Sequence, residues 1–280
     1  MRLYRWRVRR TWGHTVAVAV VAAVFVVPLV ALVTGSLRVP GLPPPRTLEL
    51  IPDPATLDGY RDAFSLSPLA RSMVNSLVVA AVFVPLAVVS ASWAGFAIAL
   101  SRERLRRRLI ALALLLMMVP ATALWLTRFV IFKIFGMVDT FWPLIVPALL
   151  GGSPLAVLLY AYAFGRIPDD LYDAARLEGL SPIRIWRRVA MPLVRATTVA
   201  VAMLAFLSTW ANFIDPLLYL NTERRFTAPL TLRYLEQLGP TNWPVLLAGA
   251  AAVTGPAVLV FLLAQRFFLQ EERGVGWLGR

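Results

Sequence analysis

Residues 173–193 read DAARLEGLSPIRIWRRVAMPL, a polar, arginine-rich stretch held between two long apolar runs. Elsewhere, groups able to do chemistry are sparse. The chain has no cysteine and one histidine, His14, which excludes disulfides, thiolate metal sites, cysteine nucleophiles, histidine clusters and histidine-centred triads. GxxxxGK[ST] does not occur, and the single GxGxxG, GVGWLG at 274–279, follows an apolar membrane-length run and opens no strand–turn–helix unit, so no nucleotide cradle is expected. No nucleophile, base and orienting group can be assembled within the apolar segments, and the chain is expected not to be an enzyme. Among the polar residues in or near those segments, Asn75, Trp210, Asn212 and Asp215 are the candidates for lining a path. Trp210 and Asn212 suit either a polar translocation path, by stacking and amide hydrogen bonds, or an interfacial aromatic and an interhelical bond. Asn75 fits polar lining or helix packing equally. Asp215 is either a buried functional acid or an interface residue beside Pro216.

The setting for these residues is a membrane. Of 280 residues, 59% are hydrophobic and only 15% charged, with a mean hydropathy of +0.71. A soluble domain carries about 25% charge. Spanning about 30 Å of hydrocarbon takes about 20 apolar residues in a helix. Six segments qualify, at about 15–36, 74–100, 109–127, 142–164, 196–220 and 245–269. Pro28, Pro85, Pro120 and Pro256 lie inside them, which bundled membrane helices tolerate. The net charge of +13 does not point to nucleic acid, because the arginines flank apolar runs and form no single stripe.

Basic residues alternate between connections. Residues 1–14, 101–108, 165–195 and 266–280 carry nineteen Lys and Arg, against nine in 37–73, 128–141 and 221–244. The positive-inside rule places the first set, and both termini, in the cytoplasm. The expected organisation is a basic tail over 1–14, a six-span domain over 15–269 and a cytoplasmic tail over 270–280. The first apolar run is longer than the h-region of a cleaved signal and reads as a retained anchor. Residues 37–73, with RVPGLPPPR, read as a proline-extended external connection without a folded domain.

Within 165–195 the signals describe two short helices. Pro168 suits a first turn, and Asp169 and Asp170 suit its positive end. Leu171, Ala174, Ala175 and Leu177 can form an apolar stripe. Gly179 stands where a left-handed exit is needed. Ser181-Pro182 reads as the start of a second helix, with Ile183, Trp186 and Ala190 along one side, broken by Pro192 before the next span. On pattern alone this loop either packs on its own bundle or docks another protein.

DAA, three residues, Gly179, nine residues, then Val189-Ala190-Met191-Pro192 resembles the EAA loop of the permease subunits of binding-protein-dependent ABC importers. Asp173, Val189 and Met191 depart conservatively from the usual Glu, Ile and Leu. NSL at 75–77, MMVP at 117–120, GMVDT at 136–140, TWANFIDPLLYL at 209–220 and TNWPVLLAGAAAVTGP resemble the carbohydrate-uptake, maltose-transporter-type branch. The closing GVGWLGR departs from the glycine-rich tail usual there.

The resemblance implies an all-α, polytopic bundle of six transmembrane helices of the type I importer class, in a bacterial inner membrane. It implies a coupling element made of Asp173, Ala174, Ala175, Glu178, Gly179 and Pro192, working over residues 169–190. It also implies partners: a second permease (a heterodimer), two cytoplasmic ATPases that hold ATP and Mg, and an extracytoplasmic solute-binding protein. The chain itself would need no cofactor. Two alternatives follow from the residues: a stand-alone carrier with Asp215 as proton relay, and a non-transporting assembly factor whose loop only docks.

Overall fold

The computed structural model describes residues 12–42, 52–237 and 239–274, without the side chains of His14, Pro240 and residues 266–274. The basic tail through Thr11, the segment 43–51 that includes the Pro43–Pro45 run, and the tail after Gly274 lie outside the described residues. The described chain is all helix and turn. Its contacts divide into two compact units: residues 1–67 with 234–252, and residues 68–233 with 253–280.

In the first unit, helix α1 (Trp12–Ser36) is apolar on every side and bare along its length. The expected unfolded connection after it holds a short amphipathic helix, α2 (Asp58–Ser65). Gly59 and Ala63 form its buried side, which the composition of the loop did not announce. The buried Ser36 hydroxyl meets the Tyr60 hydroxyl at 2.8 Å, and a Cβ on Gly59 would lie 3.1 Å from the Ser36 carbonyl.

The second unit contains α3 (Leu69–Ala99), α4 (Glu103–Met118), α5 (Trp125–Ile134), α6 (Trp142–Ile145), α7 (Pro154–Phe164), α8 (Asp169–Leu177), α9 (Pro182–Ile185), α10 (Met191–Leu193), α11 (Arg195–Trp210) and α12 (Ile214–Tyr219). Helix α13 (Ala228–Glu236) starts in this unit, and α14 (Trp243–Gly274) ends in it. Four helical segments are long and apolar enough to cross a membrane, or up to six if each of two bent pairs counts as one span.

Both bends revise the sequence expectation. The run expected at 109–127 is two helices, α4 and the Ala121–Ile134 segment, turned by 85°. Val119 and Pro120 are extended there, as residues before and at proline favour. The second bend, of 88°, falls at Val194 between α10 and α11. Pro192 therefore does not end its helix. A π turn over Trp186–Ala190 precedes it, with Met191 N–H donating to the Trp186 carbonyl. That wider turn offsets the register before the proline, which has no N–H to donate.

Small residues set the packing of α3. Ala91 and Gly95 are buried on the face of α3 that meets α7, and Ala87, one turn earlier, is buried against Ala148 and Gly152. A Cβ at Gly95 would lie 2.5 Å from the Tyr160 Cβ and 2.8 Å from the Ala161 nitrogen, so the two backbones are in direct contact. Lipid tails are as apolar as leucine, so helices in a bilayer associate by such close fits and not by hydrophobic burial.

Gly95→Leu is expected to lower the thermal midpoint of the purified chain and its amount in the membrane, by overpacking of about 1–3 kcal/mol or more. Gly255→Ala, where a Cβ meets nothing within 4 Å, is the control and should leave both unchanged or improved. A Gly95→Leu chain as stable as the wild type would disprove the backbone contact.

Candidate functional site

The helix-turn-helix at 169–193 is built as the sequence suggests at its turn and differently on its faces. Asp169 and Asp170 open α8 after Pro168. At its other end Gly179 takes φ +74°, the Leu180 N–H donates to the Ala175 carbonyl (3.1 Å), and the Gly179 N–H to the Arg176 carbonyl (2.9 Å). These two bonds close a Schellman turn that only a left-handed residue permits. Ser181 and Pro182 then start α9, with Pro182 in its first turn.

The inward face of α8 is Tyr172 and Ala175, so of the expected stripe of Leu171, Ala174, Ala175 and Leu177 only Ala175 faces the core. Tyr172 donates to the Phe164 carbonyl at 3.1 Å and meets the Phe96 ring edge-on. Burial, with Asp169 nearby, pushes its phenol up to about 12, so it stays a neutral donor throughout the physiological range. Ala175, Ile185 and Ala190 join Phe96, Tyr160, Phe164 and Val201 in one continuous core. Ile185 takes the buried place expected for Ile183. The outer face therefore carries Asp173, Ala174, Glu178 and two bare apolar side chains, Leu177 (90% exposed) and Ile183 (63%). Asp173 pairs with Arg176 at 2.8 Å on this face.

The second polar locus is a cavity of about 200 Å³ in the same unit. Asn212 and Asp215 line it, together with Arg128, Ser208 and Thr227. Asn212 and Asp215 grip each other, Asn212 Nδ2 donating to the carboxylate at 2.9 Å and Asp215 N–H to Asn212 Oδ1 at 3.2 Å. Arg128 faces Asp215 at 3.4 Å and lies over the Tyr219 ring. Asp215 is therefore half of an ion pair.

The other two polar residues hold helices together. Trp210 is 3% exposed and donates to the Val253 carbonyl at 2.9 Å, outside the cavity wall. Asn75 donates to the Arg224 and Phe226 carbonyls, each at 2.9 Å.

Asp139, inside the GMVDT motif, forms a polar clasp with residues 221–225. It takes φ +60° and accepts bonds from the Asn221 and Thr222 N–H groups, the Thr222 hydroxyl and Arg225. Burial opposes its charge, but these donors prevail and hold its carboxyl below its ordinary 3.8. An Asp between two membrane segments, distant in sequence from its donors, leaves no local signal beyond the motif.

A model of the inner membrane component of binding-protein-dependent transport systems matches residues 84–271. The arabinooligosaccharide transport permease AraQ of Halalkalibacterium halodurans is 32% identical over 92% of this chain and 93% of its own length. The trehalose transport permease SugB of Mycobacterium tuberculosis is 32% identical over 78% of this chain and 80% of its own. Among solved structures, a chain of a bacterial ABC transporter that imports the acidic polysaccharide alginate aligns with a TM-score of 0.77. That alignment covers 96% of this chain and all of the other at 18% identity, a likeness of fold.

Asp139→Asn keeps a residue tolerant of positive φ and removes only the charge. Because the folded carboxyl is depressed, its contribution is present above the unfolded value and lost as pH falls through the folded one. The gap in thermal midpoint between wild type and Asp139→Asn should accordingly be widest near neutral pH and close as pH falls below 3.8. A gap that is constant with pH would refute the clasp.

Proposed function

This chain belongs to the family of inner membrane components of binding-protein-dependent transport systems, and from that premise we propose that it imports a sugar or oligosaccharide, driven by ATPase subunits coupled through residues 169–190. The substrate class rests on its relatives, which carry arabinooligosaccharides and trehalose. As a permease, the chain carries no hydrolytic chemistry of its own. ATP and Mg would be held by two cytoplasmic ATPase chains, and an extracytoplasmic binding protein would deliver the solute. Both termini, 101–108 and 165–195 would face the cytoplasm, as their arginines favour.

The observation that carries the coupling is the two-faced α8. Tyr172 and Ala175 fix it to the spanning core, while Ala174, Leu177 and Ile183 stand uncovered. A face of small and apolar residues ringed by Asp173, Glu178 and arginines suits a docking cleft, and the rigid Schellman turn suits a lever. Closure of the ATPases on nucleotide would move α8 and bias the spans toward one access state, which requires the two states to differ in nucleotide affinity.

A second, non-identical permease would complete the pathway. The uncovered apolar stretch of α1 fits contact with that subunit as well as with lipid. The alternative of a stand-alone carrier on Asp215 has no observation in its favour, since Arg128 and Asn212 already hold that carboxylate.

Native mass spectrometry of the solubilised chain should return it with a second permease and two ATPase copies, and a lone chain or homodimer would contradict the reading. Within that assembly, Gly179→Val should cut ATP-driven sugar uptake about tenfold, the scale of a left-handed penalty of about 1–2 kcal/mol. Gly179→Asn, which tolerates that conformation, should retain most of it. A Cβ at Gly179 meets nothing within 4 Å, so a loss in both variants alike would point away from the backbone turn.

A further inference from the structure

We infer that the outer face of α4 is a site for one anionic phospholipid, its phosphodiester held between Arg104 and Arg108 and an acyl chain laid along Leu112 and Leu115. The site is independent of what the permease carries.

Residues 102–108 read RERLRRR, five arginines against one glutamate, where a helix begins. This inverts the usual order, because the N-terminal end of a helix is positive and disfavours cations. Helix α8 shows the ordinary arrangement, opening on Asp169 and Asp170. In α4 the single carboxylate, Glu103, is taken by Arg106 and by Arg107, the latter at 2.6 Å. Among the described residues no carboxylate pairs with Arg104 or Arg108, and both are exposed. They stand one turn apart on one face, where like charges repel. No side chain caps the first turn either, so its outward N–H groups lack a side-chain acceptor. A phosphate between the two guanidiniums offsets this excess of positive charge, in the charge-assisted, fork-shaped contact that arginine makes best.

The continuation of that face selects a lipid. Ala113 is the one buried residue of α4. It lies nine positions from Arg104, about half a turn around the helix, and so on the opposite side. The arginine face therefore points away from the bundle. Next along it come Ala111, Leu112 and Leu115, all exposed, the two leucines by more than half. A guanidinium pair followed by a bare apolar track fits an amphiphile, and a free phosphate would leave the track uncovered. The depth agrees. Trp93, exposed on α3 about 9 Å before that helix ends, is a residue of the membrane interface by type, and α4 begins four residues after the end of α3. The net charge of +4 over 102–108 opposes the ammonium group of a zwitterionic lipid and favours a headgroup that is negative overall.

The test is native mass spectrometry of the full chain, in whichever assembly it leaves the membrane, titrated with phosphatidylglycerol and with phosphatidylethanolamine of identical acyl chains. The wild type should hold the first bound lipid about tenfold more tightly when it is phosphatidylglycerol. Arg104→Gln with Arg108→Gln should remove most of that preference. Arg71→Gln with Arg224→Gln makes the same change of charge at two other exposed arginines and should keep it. Inorganic phosphate in excess should not displace the lipid.

The site is overturned if the wild type holds both lipids equally, a comparison that needs no variant. It is also overturned if the Arg104 and Arg108 pair of changes leaves the preference intact, if the control pair abolishes it equally, or if phosphate displaces the lipid. None of these outcomes bears on the import reading, which stands or falls on the subunits found with the chain.

Discussion

The contact between α3 and α7 governs how the second unit can be built. In water this face would be held by burial, but in lipid there is no such force between apolar helices, and fit must supply it. Ala91 and Gly95 let the two backbones meet. Once α7 is fixed, so is the carbonyl of Phe164 at its last turn, and that carbonyl receives the Tyr172 hydroxyl. Helix α8 is thus positioned by the bundle it packs on. Its geometry does not depend on the charges along its exposed face, whose Asp173–Arg176 pair, open to water, contributes little.

Broken backbone at membrane depth is tolerated only where protein covers it or where it borders a water-filled space. The break between α11 and α12 meets that condition. Ala211, Asn212 and Phe213 leave the helix beside the polar cavity, and the Asn212 side chain takes up the Asp215 N–H that the break exposes. The glycine pair before α7 is a second adjustment. Gly151 and Gly152 adopt φ of +88° and +67°, and a Cβ on Gly152 would lie 3.1 Å from the Ala87 Cβ. The polar cavity and the tight α3 face are therefore two results of one set of small residues.

What could be read from the sequence follows from how local each cause is. The turn at Gly179 and the start at Ser181-Pro182 were legible because the residue itself carries the conformation. The all-helical, membrane-spanning class was legible because it is written in composition. The faces of α8 and α9 were not. Tyr172 buries its ring and bonds with its tip, while Leu171 and Leu177 remain outside, which reverses the order that hydrophobicity suggests. Prolines were legible unevenly. Pro85 lies within an unbroken α3, as expected, but Pro120 accompanies a sharp bend and Pro192 follows a π turn that absorbs it. The difference lies in the neighbouring turns, and no single residue encodes it. The pairing of Arg128 with Asp215 spans 87 positions and leaves no trace in either neighbourhood.

If α8 transmits force as proposed, the path it would take is already constrained. Its inner side shares one core with α3, α7 and α11 through Phe96, Tyr160, Phe164 and Val201. A push on Leu177 or Ile183 would therefore meet a packed interior, and close-packed interiors pass displacement on without absorbing it. The chain changes direction further along, at the π turn over Trp186–Ala190 and the 88° bend at Val194, and Ala190 and Val194 are themselves buried in that core. Displacement of α8 would therefore reach α11, whose far end carries Ser208 and Thr209 on the cavity wall.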